Sequence, residues 1–138
     1  MSVSSELFDI LLLRTNPQYH AAEVRRRQVG AAAMASSPES SNDYAQVRLM
    51  IGTWETIAHR VRGNAALTVP FYESNPVGHM WDALSPAIKI VKSEFKGKGK
   101  NLYALEFSKL NRSYRIWLSS KPVSYQTAAL QGINAQFG

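Results

Sequence analysis

The chain contains no cysteine. That removes disulfides, thiolate nucleophiles and every zinc site built on sulfur, and it lends no support to an oxidising compartment. Long hydrophobic runs are missing too. The longest near the start, Leu7 to Leu13, is interrupted by Asp9 and closed by Arg14, well short of the roughly 20 apolar residues a spanning helix needs. A secretory signal would place basic residues ahead of such a run, whereas the first cation is Arg14 and the charges before it are Glu6 and Asp9. No membrane span is expected, and the expected location is cytoplasmic. Acidic residues are scarce beside basic ones: ten Asp and Glu against sixteen Lys and Arg leave a formal charge of +6. Such a balance favours encounter with nucleic acid, anionic lipid or acidic protein and selects none of them.

What is present suits a folded domain. Hydrophobic residues make up 45% and charged residues 19% of 138 residues, enough apolar surface to offset the entropy of ordering around one continuous core. A single helical domain over residues 1–118 is expected, followed by a frayed or weakly ordered tail over residues 119–138, rich in Ser, Gln and Gly, with at most a short helix around Tyr125 to Leu130.

The strongest local signal is Asp43 to Gly63, where Tyr44, Val47, Ile51, Trp54, Ala58 and Val61 recur three or four residues apart before Gly63 stops the run. That spacing is one face of an amphipathic helix. Ahead of it, a short helix is expected from about Ser5 to Leu13 with Leu7, Ile10 and Leu11 inward. Asn16 then reads as an N-cap with Pro17 in the first turn, starting a second helix that reaches roughly Ala35 and presents Ala21, Ala22, Val24, Val29, Ala32 and Ala33. Ser36 to Asn42 has turn composition throughout. Beyond Gly63-Asn64, Thr68-Val69-Pro70 and Asn75-Pro76 bracket a short segment around Phe71 and Tyr72. A fourth long pattern follows through Val77, Met80, Trp81, Leu84, Ile88, Val91 and Phe95, which Pro86 should kink or split near Leu84 to Ser85. Gly97-Lys98-Gly99-Lys100 makes the next break.

Residues 102–118 admit two readings. As a helix, Tyr103, Phe107, Leu110, Tyr114 and Trp117 form one stripe; as strands, LYALEF and YRIWL pair through SKLNR. The helix is preferred because one period accounts for the whole segment. The fold class is therefore all-α, a compact bundle of about five helices, with an α+β fold carrying a C-terminal β-hairpin as the alternative. The expected core is Val47, Ile51, Trp54, Val61, Met80, Leu84, Ile88, Val91, Phe107 and Tyr114.

Trp54-Glu55-x-Ile57-Ala58, then Gly63, then Trp81-x-x-Leu84-x-Pro86-x-Ile88 and later Phe107-x-x-Leu110 form an order that resembles a family of small helical bacterial proteins known only as a domain of unknown function. The likeness covers about residues 20–110 and rests on core and turn residues. It implies an all-helical fold and no activity, so no functional residue transfers. Members of that family often begin with a membrane-spanning helix, and Leu7 to Leu13 departs from that pattern.

Chemistry-bearing residues are sparse. Glu55 and His59 lie four apart on one helix and could act as acid and base or share a metal, and His79 and Asp82, three apart, pose the same question. A metal needs more ligands than either pair supplies, and the paired Glu-x-x-His and His-Glu-x-x-His elements are absent. Neither a Gly-x-Ser-x-Gly elbow nor a Rossmann glycine pattern is present, and the glycine-lysine stretch lacks the spacing of a phosphate-binding loop. No cofactor or metal is expected, and no enzymatic role. Two basic clusters remain: Arg25, Arg26 and Arg27, and the series Lys89, Lys92, Lys96, Lys98 and Lys100. On residues 102–118, Lys109 and Arg112 flank Leu105 and Ile116, opposite the aromatic stripe. An apolar pair with a basic rim suits a partner surface. The expected role is a non-catalytic protein-interaction module, with a protein partner or self-association, the latter through the alanine-rich second helix. A basic nucleic-acid-binding domain is the alternative, and a small enzyme using Glu55 and His59 or His79 and Asp82 stands third. Among these side chains Arg25, Arg26, Arg27, Lys98, Lys100, Lys109 and Arg112 are the binding candidates.

Overall fold

The computed structural model describes residues 2–137, and the side chains of these except Lys98 and those beyond residue 130. Among the described residues the chain is all helical: α1 (Val3–Arg14), α2 (Pro17–Val29), α3 (Ala31–Ala35), α4 (Asn42–Arg62), α5 (Ala65–Ser74), α6 (Val77–Glu94), a 3-10 turn (Gly97–Asn101), α7 (Leu105–Ser119) and α8 (Val123–Phe137). No strand occurs among them, so the hairpin alternative for residues 102–118 falls and the helical period wins. No helix among the described residues is long and apolar enough to cross a membrane.

Helix α4 is the axis of the bundle. The Ser41 hydroxyl accepts the Tyr44 N–H at its start, and its stripe Tyr44, Val47, Ile51, Trp54, Ala58 and Val61 is buried as the spacing requires. Around it pack α1, α2, α3, α5, α6 and α7. All ten residues expected in the core are buried. The core is built on rings: Trp54 stacks on Phe107 at 5.3 Å between centroids, Phe71 meets Trp54 edge-on, and Trp81 meets Phe107 edge-on at 5.1 Å.

Five local expectations are corrected. Helix α2 does not continue to Ala35, because Gly30 adopts φ +86 and separates α2 from α3. The break resets the helical phase. The buried set becomes Tyr19, Ala22 and Glu23 on α2 with Ala31, Met34 and Ala35 on α3, while Ala21, Val24, Val29, Ala32 and Ala33 face outward. On α1, Ile10 is buried but Leu11 points out beside Phe8 and Leu12. The bracketed segment around Phe71 is a full helix: the Asn64 side chain accepts the Ala66 N–H, and Pro70 sits inside α5. Finally, α6 runs from Val77 to Glu94 without splitting at Pro86. Pro86 is exposed, so water can hydrate the Asp82 carbonyl that it leaves without an N–H. The last helix, α8, is longer than the Tyr125 to Leu130 turn expected in this stretch.

Candidate functional site

Helices α6 and α7 run antiparallel: the end of α7 meets the start of α6, where the Arg115 guanidinium donates to the Gly78 carbonyl and, at 2.7 Å, to Asp82. Between them lies a groove formed of two hollows. One, of about 520 Å³, has Trp81, Ile88 and Leu105 as its apolar floor and Lys89, Lys92 and Lys100 at its rim. The second, of about 410 Å³, carries Arg112, Arg115 and Ile116. Trp81 and Ser108 line both, so the two adjoin. Neither is lined by a carboxylate. The floor is stiff, because Trp81 rests edge-on against Phe107, which stacks on Trp54 in the core.

The groove's cations other than Arg115 are unspent. Among the described residues the ion pairs use Arg25, Arg27, Arg60, Arg62 and Arg115, and Lys89, Lys92, Lys100, Lys109 and Arg112 take part in none. Lys109 and Arg112 are exposed on the same side of α7 as Leu105 and Ile116, as the period required. Ile116 is 67% exposed and extends this face with an apolar side chain. At the entry to α7 the backbone of Ala104 is left-handed, with φ 55, and its buried methyl lies in the wall of the larger hollow. It is the only non-glycine residue with positive φ among those described, a conformation costing roughly 1–2 kcal/mol for an L side chain. That turn brings Lys100 and Tyr103 over the end of α6.

The other expected sites are placed differently. Glu55 reaches from α4 to the start of α7, where its carboxylate accepts the N–H groups of Glu106 at 3.2 Å and Phe107 at 2.8 Å. Ala104 offers no side-chain cap there, so Glu55 supplies from a neighbouring helix the acceptor and the negative charge that a helix N-terminus lacks. His59, one turn on, is exposed. Asp82 is held by Arg115, and His79 is half-buried on α6. Among the described residues no three His, Asp or Glu side chains converge on a metal-sized site. The arginine triplet is divided. Arg25 grips Asp43 with two hydrogen bonds of 2.9 and 3.1 Å, Arg27 lies 3.5 Å from Glu23, and Arg26 is half-buried. The hydrogen bond from Arg25 holds the Asp43 carboxyl below its usual pKa. The Lys98 side chain lies outside the described residues.

A buried polar chain also escaped the sequence reading. The Trp54 indole N–H donates to the Tyr19 hydroxyl at 2.9 Å, and that hydroxyl donates to Glu23 at 3.0 Å. Glu23 is 8% exposed. Burial pushes the Tyr19 phenol up to about 12. The Arg14 guanidinium lies 4.9 Å from the Trp54 ring and donates to Asn75. The i,i+4 spacing of Tyr19 and Glu23 was the available signal. Arg14 and Asn75 are 61 residues apart with four helices between them, so their contact has no local signature.

No family model matches the chain, and no curated protein or solved structure shows significant similarity to it.

Proposed function

We propose that the chain is a non-catalytic interaction module that holds an acidic segment of a protein partner in the groove between α6 and α7. The observation that carries this reading is the groove itself: an apolar floor of Trp81, Ile88 and Leu105, cations along the rim and no carboxylate in the lining. An apolar centre with a charged rim is the anatomy of a protein interface, in which the rim steers encounter and the centre supplies affinity. The residue pairs considered for acid–base work support a structural role instead, since Glu55 caps α7 and Asp82 is committed to Arg115. Self-association through the alanine-rich helices keeps the exposed Ala21, Val24, Val29, Ala32 and Ala33 as its surface, with Ala22, Ala31 and Ala35 already buried within the chain. Among the described residues that face carries no comparable hollow with a cationic rim.

Nucleic-acid binding is the second reading, favoured by the same unpaired cations. Its weakness lies in the groove, where the Tyr103 ring is occupied by Phe95, edge-on at 5.1 Å, and by Arg48 at 5.2 Å and offers no free face for a base. Amide chemical shifts separate the two. A soluble peptide of glutamates and leucines should perturb Ser85, Ile88, Leu105 and Ser108 at low salt and keep much of its effect at high salt, because apolar contact is not screened. Single-stranded DNA should give only a salt-sensitive response. Tight, sequence-tolerant DNA binding with no response to the peptide would reverse the assignment.

A further inference from the structure

The groove restricts the shape of what it can hold, and the inference here rests on the reading of it as an acidic-partner site. Three modes of peptide recognition are common: addition of a strand to a sheet edge, docking of a polyproline helix on exposed aromatic faces, and burial of the apolar stripe of an amphipathic helix. The described residues contain no strand and so no edge to extend. The aromatic rings of the groove are not presented as open parallel faces, since Trp81 is seated against Phe107 and Tyr103 against Phe95 and Arg48. The third mode remains, and the groove has its form, a trough between two antiparallel helices.

Its apolar stations fix a spacing. Leu105 lies in the larger hollow and Ile116 in the smaller. They are separated along α7 by about 16 Å at 1.5 Å per residue. A helix laid alongside covers that distance in about three turns, so its matching apolar side chains stand at positions i and i+11, with i+4 and i+7 on the same stripe. The charge on either side of the stripe is also defined: Lys89, Lys92 and Lys100 lie along the α6 side, and Lys109 and Arg112 along α7.

We infer that the occupant is an acidic amphipathic helix of a partner protein, three turns or longer, that places one large apolar side chain in the hollow floored by Trp81 and Ile88 and another over Ile116, with carboxylates facing the two cationic rims. The test uses three labelled peptides of about sixteen residues and equal charge, rich in Glu and Ala with four Leu. The first sets the leucines at i, i+4, i+7 and i+11. The second scatters them, and the third keeps them in place but has two central alanines exchanged for proline. The first peptide should bind with a rise in helical circular dichroism, and the other two should bind at least about tenfold more weakly. The double variant K89E/K92E changes one exposed and one half-buried lysine and the single variant I116E an exposed isoleucine, none of them in an ion pair among the described residues, so the fold should stay intact; each should weaken the first peptide by at least about tenfold.

Equal binding of all three peptides would show recognition of charge alone and overturn the helix inference while leaving the acidic-partner reading standing. Equal binding of the first and third would do the same for an extended occupant. Failure of every peptide, with the DNA response described above, would remove both. Self-association in sedimentation, abolished by K89E/K92E and competing with the first peptide, would assign the groove to a second copy and overturn the inference.

Discussion

Cations are used in opposite ways on the two sides of this molecule. Around α4 they are consumed by the fold: Arg14 packs on Trp54, Arg48 lies within 5.2 to 5.7 Å of the rings of Tyr44, Phe95 and Tyr103, and Arg25, Arg60 and Arg62 pair with Asp43, Glu6 and Glu106. Along the α6–α7 groove Lys89, Lys92, Lys100 and Arg112 surround an apolar hollow and pair with nothing among the described residues. Most cations of the first side are arginine, whose planar fork can stack and pair at once; those of the second are mainly lysine, strongly hydrated and without fixed geometry. Net charge therefore hides the useful distinction. Part of the +6 holds helices together and the rest is left on a surface.

The sharpest way to break that comparison is at its hinge, Trp54. The ring is completely buried, stacks on Phe107, which backs the groove, and donates its indole N–H to Tyr19. Trp54→Ala should destabilise the chain by about 3–5 kcal/mol, measured by chemical denaturation, and should loosen the Trp81 floor through Phe107. A loss under about 1 kcal/mol would mean that the ring stack is not the common support of the two regions.

Alkaline pH probes the buried tyrosines, Tyr19 above all. Burial raises the Tyr19 phenol to about 12 in the folded chain, against about 10 unfolded. Below pH 10 both states hold the proton and no penalty appears. Between about 10 and 12 the unfolded state ionises first and stability falls, by up to about 2–3 kcal/mol from this residue. Tyr19→Phe should flatten part of that slope in urea titrations at stepped pH, the remainder belonging to Tyr72, Tyr103 and Tyr114, which burial also raises.

Glu55 comes next in size. Glu55→Ala leaves the Glu106 and Phe107 amides without their acceptor and should cost about 1–2 kcal/mol. Glu55→Gln, which keeps an acceptor oxygen but not the charge, should lose less. The denaturation midpoints of the two variants check this order.

The same residues show what the sequence could and could not disclose. The stripes of α4, α6 and α7 were legible because side-chain spacing alone decides which face is buried. The α2 stripe was not, because Gly30 shifts the phase of everything after it and the buried residues include Tyr19 and Glu23, which apolar counting passes over. Pro70 and Pro86 suggested breaks, yet the rest of each helix packs well enough to hold the proline inside. Of the groove, Leu105, Lys109, Arg112 and Ile116 followed from the helical period, and Lys89, Lys92 and Lys100 from the charge series. Their meeting across Trp81, Ser85 and Ser108 depends on the antiparallel packing of α6 on α7, and spacing within one element carries no information about that. Glu55 was noticed for its spacing from His59, whereas its hydrogen-bond partners are two amides 51 and 52 residues away.

The smallest stability effect is the most discriminating. Lys89 and Lys92 are three apart near the end of α6, with Lys96 and Lys100 following, so each lysine gains slightly from the helix dipole and loses slightly to its neighbours. Reversing both in K89E/K92E removes the dipole benefit and the mutual repulsion of cations together, and no ion pair is broken. The change in folding free energy should stay within about 0.5 kcal/mol, whereas reversing Arg25 breaks its two-point grip on Asp43 and should shift the denaturation midpoint further. If K89E/K92E proves the more destabilising of the two, the lysines belong to the fold after all. The groove would then have no charge to spare for a partner.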